Sequence, residues 1–187
     1  VAQGIIPGYC SIVVWRDRVL HVDAHGFADG ERETPMRTDS VVRLYCMTKS
    51  IVSTALMVLV EQGKCDLDDE VSRYIPAFDG VRVAASPDSD TPSHEDRPQQ
   101  AKLTLRRLLT HCSGLGYGNE FNRAPETPAE RSYNRLVQAV ETVEVSDLRT
   151  FCESLAIWCP LRHQPGSRFE YSYGLDVIGR VIEVVAA

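Results

Sequence analysis

Apolar positions alternate with polar ones only near the start of the chain. Tyr9 to Trp15 and Val19 to Val22 are rich in β-branched and aromatic residues, and Arg16-Asp17 separates them, so the pattern predicts a hairpin over about 9–26. Val41 to Tyr45 forms a short extended run. From 47 to 62 the pattern turns helical: Ile51, Ala55, Val58 and Leu59 recur at three and four, and Gly63 supplies the stop. Residues 84–100 hold Pro, Ser, Asp, Glu and Gln with almost no apolar content, which predicts an exposed insertion whose acids are a solvated surface.

Beyond the insertion the chain reads as helical over 104–158. Thr104 is placed to cap a short helix from Leu105 to Leu109, closed by Cys112-Ser113-Gly114. Thr127-Pro128-Ala129-Glu130 is a capping box with proline at the first helical position. Asp147 to Ile157 carries Leu148, Phe151, Leu155 and Ala156 on one side. After a turn at Pro165-Gly166, a last helix over 175–187 buries Leu175, Ile178, Val181, Ile182 and Val185. The balance is α+β, mostly helical, with its strands at the N-terminus. A two-stranded hairpin is marginal alone, so the chain reads as one lacking the partner strands it needs.

Composition narrows the function. The 187 residues suffice for one domain with a core. A net charge of −6 without a basic cluster argues against nucleic acid and anionic membranes as partners. No apolar run approaches the ~18 residues of a membrane span, and no signal peptide precedes Val1, though one could have been removed. Cysteines 10, 46, 65, 112, 152 and 159 form no CxxC pair and lack metal-ligand spacing. They point to reduced thiols in an intracellular compartment, cytoplasmic or mitochondrial, rather than to a disulfide framework. No metal or organic cofactor is implied.

The chemistry concentrates in Cys46-Met47-Thr48-Lys49. A nucleophile three residues before a lysine shares one helical face with it, and a helix N-terminus beside a cation favours a reactive anion. Cys46 reads either as a thiolate attacking an ester carbonyl or as an inert cysteine, native or engineered as a trap. Lys49 reads as its cation, and as a base only if burial or a neighbouring cation leaves it partly neutral. His111 invites a triad reading, but a histidine before Ser113-Gly114 more often caps a helix end. Asp66, Asp68 and Asp69 lack the alternating ligands and glycine of a calcium loop. Tyr117, Phe121 and Trp158 read equally as the lining of an acyl pocket or as core.

Taken together, Tyr45 to Ser50, Leu59 to Lys64, Leu67 to Val71, Leu108 to Leu115, Pro165 to Ser172 and Leu175 to Glu183 resemble the β-lactamase-related serine hydrolases. That group holds class C β-lactamases, D-alanyl-D-alanine carboxypeptidases and family VIII carboxylesterases, and it reads Ser-x-x-Lys where this chain has Cys46 and Lys49. The resemblance is strongest to the esterases, which typically read Tyr-Ser-Met-Thr-Lys there. It implies a β-lactamase/transpeptidase-like fold, an antiparallel sheet flanked by helices with an inserted helical region. This chain would be the N-terminal portion of one such domain, stopping before the strands that complete the sheet and carry a third motif. The resemblance makes Tyr171 the proton-relaying tyrosine. It sets Tyr173 where β-lactamases carry Asn, which favours a looser esterase pocket.

The reading that follows is a hydrolase of small-molecule esters or amides. It would work through a thioester on Cys46, with Lys49 and Tyr171 moving protons and Tyr173, Tyr117 and Phe121 binding substrate. The competing reading is a non-catalytic relative that keeps the fold to bind a ligand or assemble with partners. A C-terminal segment or a second copy of the chain are the expected macromolecular partners.

Overall fold

The computed structural model describes residues 1, 4–31, 33–86, 96–118 and 128–187, and of 128 and 129 only the backbone. Phe121, Thr127 and the centre of the 84–100 insertion lie outside the described residues. Among those residues the chain divides into two units, Val1–Tyr45 and Cys46–Ala187.

The first unit is a three-stranded antiparallel sheet in the order β1 (Gly8–Trp15), β2 (Arg18–Asp29), β3 (Thr34–Pro35). Arg16 and Asp17 both adopt left-handed φ, 45° and 63°, the geometry of a two-residue hairpin turn that matches strand twist. The ladder pairs Trp15 with Arg18 and Gly8 with Gly26, and a bulge between Val13 and Val14 leaves Leu20 as the extra residue on β2. The 41–44 run forms no strand.

The second unit carries α1 (Thr48–Glu61), α2 (Leu105–Leu109), α3 (Pro128–Glu141), α4 (Leu148–Trp158) and α5 (Gly174–Ala186). Two helix starts follow from single side chains. Thr104 Oγ1 accepts the Arg107 N–H, and Asp147 Oδ1 accepts the Thr150 N–H at 2.8 Å. The amphipathic α5 packs against α1, α2 and α4. Its Leu175, Val177, Ile178 and Val181 meet Leu56 and Leu59 of α1, Leu105 and Leu108 of α2, and Leu155 of α4 in one core.

The helix expected over 47–62 is present, and its buried face is set by packing. In α1 the buried residues are Leu56 and Leu59, while Ile51 and Val58 are exposed. Apolar residues surround this helix, so periodicity alone does not select a face and the packing of α5 does. Within the insertion Ala84 and Asp96 are buried, while Ser86, Arg97, Pro98 and Gln100 are exposed as expected. There Val83 bridges both Arg97 and Leu161, and the Asp96 carboxylate accepts the Ala85 N–H at 3.2 Å. No helix among the described residues is long and apolar enough to cross a membrane.

Candidate active site

Cys46 lies in a 3₁₀ turn, Tyr45–Met47, that runs into α1 and leaves the sulfur exposed. Lys49 follows in the first turn of α1. Tyr171 sits three residues before α5, and the packing of α5 on α1 carries it across 125 residues of sequence to Cys46. The Cys46 Sγ to Tyr171 Oη distance is 3.2 Å, a hydrogen bond in which either atom can donate. The Lys49 ammonium stands over the Tyr171 ring, 5.0 Å from its centroid.

This geometry sets the protonation of both partners. Burial raises the Tyr171 phenol, the bond to Cys46 raises it further, and Lys49 only partly offsets them. For Lys49, burial works against the charge. The Tyr171 hydroxyl and the charges of Tyr171, Asp176 and Cys46 outweigh it, so its pKa rises. This direction, toward the ammonium, is opposite to the one that a basic, partly neutral Lys49 would need.

The sequence reading set His111 aside as a helix-end residue. In the structure it is a neighbour of the site. It takes a left-handed φ of 54° after α2, and its Nδ1 accepts the Ser172 backbone N–H at 3.2 Å. Because a backbone N–H can only donate, the proton of the neutral ring sits on Nε2. The imidazole stacks on Tyr171 with centroids 4.7 Å apart and meets Phe169 edge-on at 5.8 Å. Burial, and then the Lys49 charge, lower its pKa. A depressed folded-state value means that folding favours the neutral ring. Its support for the site is full above the ordinary histidine value of 6.5 and is lost as pH falls through the lower folded value. Adduct formation at Cys46 should therefore show an acid limb below that value. His111→Asn, which keeps an acceptor for Ser172, should remove the limb; a pH–rate profile with NMR titration of the imidazole checks this.

An aromatic row continues from Tyr171. Tyr117 meets it edge-on at 5.2 Å and stacks on Tyr173 at 4.4 Å, and Tyr173 meets Phe151 edge-on at 5.3 Å. Tyr173 is only 6% exposed, so it supports the row from within the core. Its hydroxyl accepts the Gly118 N–H at 3.3 Å, and Tyr133 accepts the Gly116 N–H at 2.8 Å, which together fix the loop carrying Tyr117. Phe151 lines a mostly apolar cavity of about 330 Å³ with Val140, Val145, Leu148 and Asp176. Trp158 lies outside the row, under the guanidinium of Arg135 at 4.5 Å. The acidic run is engaged locally: Asp68 pairs with Arg106, and Asp69 with Arg73 and Tyr74.

Cys46 thus stands one turn before Lys49, with Tyr171 brought beside both from the segment that leads into α5. The chain belongs to the Beta-lactamase family, whose profile matches residues 1–187. It is 36% identical to esterase EstB of Burkholderia gladioli over 179 residues, 95% of this chain and 41% of that protein. It is 31% identical over 185 residues to protein Rv1367c of Mycobacterium tuberculosis, covering 96% of this chain and 41% of the relative. Among solved structures it is similar to EstCE1, a hydrolase with promiscuous acyltransferase activity. That match has a TM-score of 0.75 and 30% identity over 99% of this chain and 44% of the other. The chain thus spans about two fifths of the length of the curated relatives it matches, with 41% covered in both.

Proposed function

We propose that this protein is an esterase-like hydrolase that carries its acyl group as a thioester on Cys46. The observation behind this reading is the 3.2 Å contact between Cys46 Sγ and Tyr171 Oη, with the Lys49 ammonium over the same ring. Sulfur attacks the ester carbonyl, a C–S bond forms and the C–O bond breaks. Tyr171 takes the thiol proton and passes its own phenolic proton to the departing alkoxide, so the alcohol leaves neutral. The Lys49 charge offsets the negative charge that builds up during transfer. Tyr117, edge-on to Tyr171, is the substrate-facing member of the aromatic row, and the acyl chain is short or medium. The esterase and hydrolase names of EstB and EstCE1 support the same class.

Sulfur in the place of the family's serine favours a second reading, a relative that binds ligand without turnover. Incubation with p-nitrophenyl butyrate, followed by intact-mass spectrometry beside Cys46→Ser and Cys46→Ala, separates the two. The expected result is a butyryl adduct that maps to Cys46 and is absent from Cys46→Ala. No adduct with either the thiol or the Cys46→Ser protein would move the function to ligand binding.

A further inference from the structure

We propose that Glu170 is a positioning residue for Tyr171: its carboxylate ties the segment carrying the tyrosine to Arg162 and so holds the phenol at Cys46. This rests on the thioester reading above and deepens it. Glu170 directly precedes Tyr171 in the chain. Its carboxylate pairs with two guanidinium groups, with Arg162 Nη1 2.9 Å from Oε1 and Arg168 Nη2 3.0 Å from Oε2. The buried His163 Nε2 stands 3.7 Å from Oε2. The Arg162 and Glu170 side chains are only 22% and 19% exposed, so solvent screens their pair less than a surface pair.

Arg162 is fixed in turn. Its backbone N–H donates to the Gly114 carbonyl at 2.7 Å, and its stem crosses Gly116 so closely that a Cβ there would lie 2.6 Å from Arg162 Cδ. Its Nη1 also reaches Glu130 of α3 at 3.6 Å. The loop under this stem carries Tyr117, whose ring meets Tyr171 edge-on. On the other side, the Glu170 N–H donates to the His111 carbonyl at 2.8 Å and the Tyr173 N–H to the Gly116 carbonyl at 3.3 Å. Segment 170–173 therefore runs beside 111–116, and the ion pair clamps the two together. The phenol's own charge answers to burial, Cys46 and Lys49, so Glu170 acts on Tyr171 through the backbone. Loss of the carboxylate removes the anion that two guanidiniums share and leaves like charges beside one short segment. The 3.2 Å contact of Tyr171 Oη with Cys46 Sγ then opens. A displacement of about 1 Å at a reacting group costs up to about 10²-fold in rate.

The test is a double-mutant cycle on the rate of Cys46 acylation by p-nitrophenyl butyrate, read by intact mass and peptide mapping over a range of ester concentrations. Glu170→Gln keeps the shape of the side chain and removes its charge. It should slow the maximal rate about tenfold and leave the half-saturating ester concentration unchanged. In a Tyr171→Phe background the same substitution should cost less than about twofold, because the oxygen it positions is gone. Arg162→Met keeps the stem over Gly116 and breaks the pair from the other side, so it should reproduce this pattern. Glu170→Asp, which keeps the charge, should recover most of the rate. Circular dichroism melts establish that each variant is folded at the assay temperature. An equal loss in the Tyr171 and Tyr171→Phe backgrounds would make the pair a structural tie and overturn the positioning role. Full rates in both Glu170→Gln and Arg162→Met would also overturn it, while acylation of the native protein leaves the thioester reading intact. No adduct on Cys46 of the native protein would overturn both.

Discussion

Tyr171→Phe should slow acylation of Cys46 by about 10²–10³-fold while leaving the fold unchanged. The substitution removes one oxygen, the atom 3.2 Å from Cys46 Sγ. It keeps the ring that His111 stacks on at 4.7 Å and that Tyr117 meets at 5.2 Å, so the packing survives. Tyr171 is 37% exposed, and the loss of a partly solvated hydroxyl should cost no more than about 0.5 kcal/mol of stability. The rate loss would then report proton transfer alone. A second signature accompanies it. The phenol is among the groups that raise the Lys49 pKa, so its removal should let Lys49 titrate at lower pH. The alkaline side of the acylation profile should move down accordingly. Stopped-flow release of p-nitrophenol across pH measures both effects. An unchanged rate with an unchanged profile would mean that Tyr171 only packs beside the sulfur.

How much of this was legible in the sequence depends on the distance over which each feature is decided. Thr104 and Asp147 announce the starts of α2 and α4 because a cap is a bond between residues three apart. Cys46 and Lys49 announce each other for the same reason. Tyr171 had no such local signal; resemblance to a family pointed to it, and the packing of α5 on α1 brings it to Cys46.

What was not legible is decided by contacts between distant segments. The buried face of α1 depends on α5, and the burial of Ala84 and Asp96 depends on strand-like pairing with Arg97 and Leu161. The role of His111 needed two facts that a linear reading lacks. One is a left-handed backbone that turns its ring back, and the other is a Ser172 N–H in need of an acceptor. Tyr173 has the composition of a pocket residue and the environment of a core residue. Its hydroxyl accepts an N–H from Gly118, which is distant in sequence and passes beside it. The protonation of Lys49 was equally hidden, since burial alone predicts the opposite direction and only its neighbours reverse it.

Gly114→Ala should destabilise the helical unit by about 3–4 kcal/mol, which lowers Tm by roughly 10 °C. Two effects add. Gly114 has φ of +90°, where a side chain costs about 1–2 kcal/mol in any surroundings. A Cβ there would also lie 2.2 Å from the His163 carbonyl oxygen and 3.2 Å from Leu161 Cβ. The first of these is backbone, held because Arg162 donates to the Gly114 carbonyl at 2.7 Å, and it cannot rotate away as a flexible side chain would. Gly63→Ala separates the two effects, since Gly63 has φ of +67° but nothing within 4 Å of the added carbon. That variant should lose only the conformational part, about 1 kcal/mol. Thermal melts followed by circular dichroism compare them directly, and equal losses in the two would show that the segment around His163 yields to the added methyl. The consequence should reach the site as well. Gly114 opens the stretch that runs through Gly116 and Gly118, whose amides are tied to Tyr133 and Tyr173. Pushing it away from His163 displaces Tyr117, and with it the edge that confines the Tyr171 ring. Below its melting temperature Gly114→Ala should therefore acylate more slowly than Gly63→Ala, by a factor that grows as the aromatic row loosens.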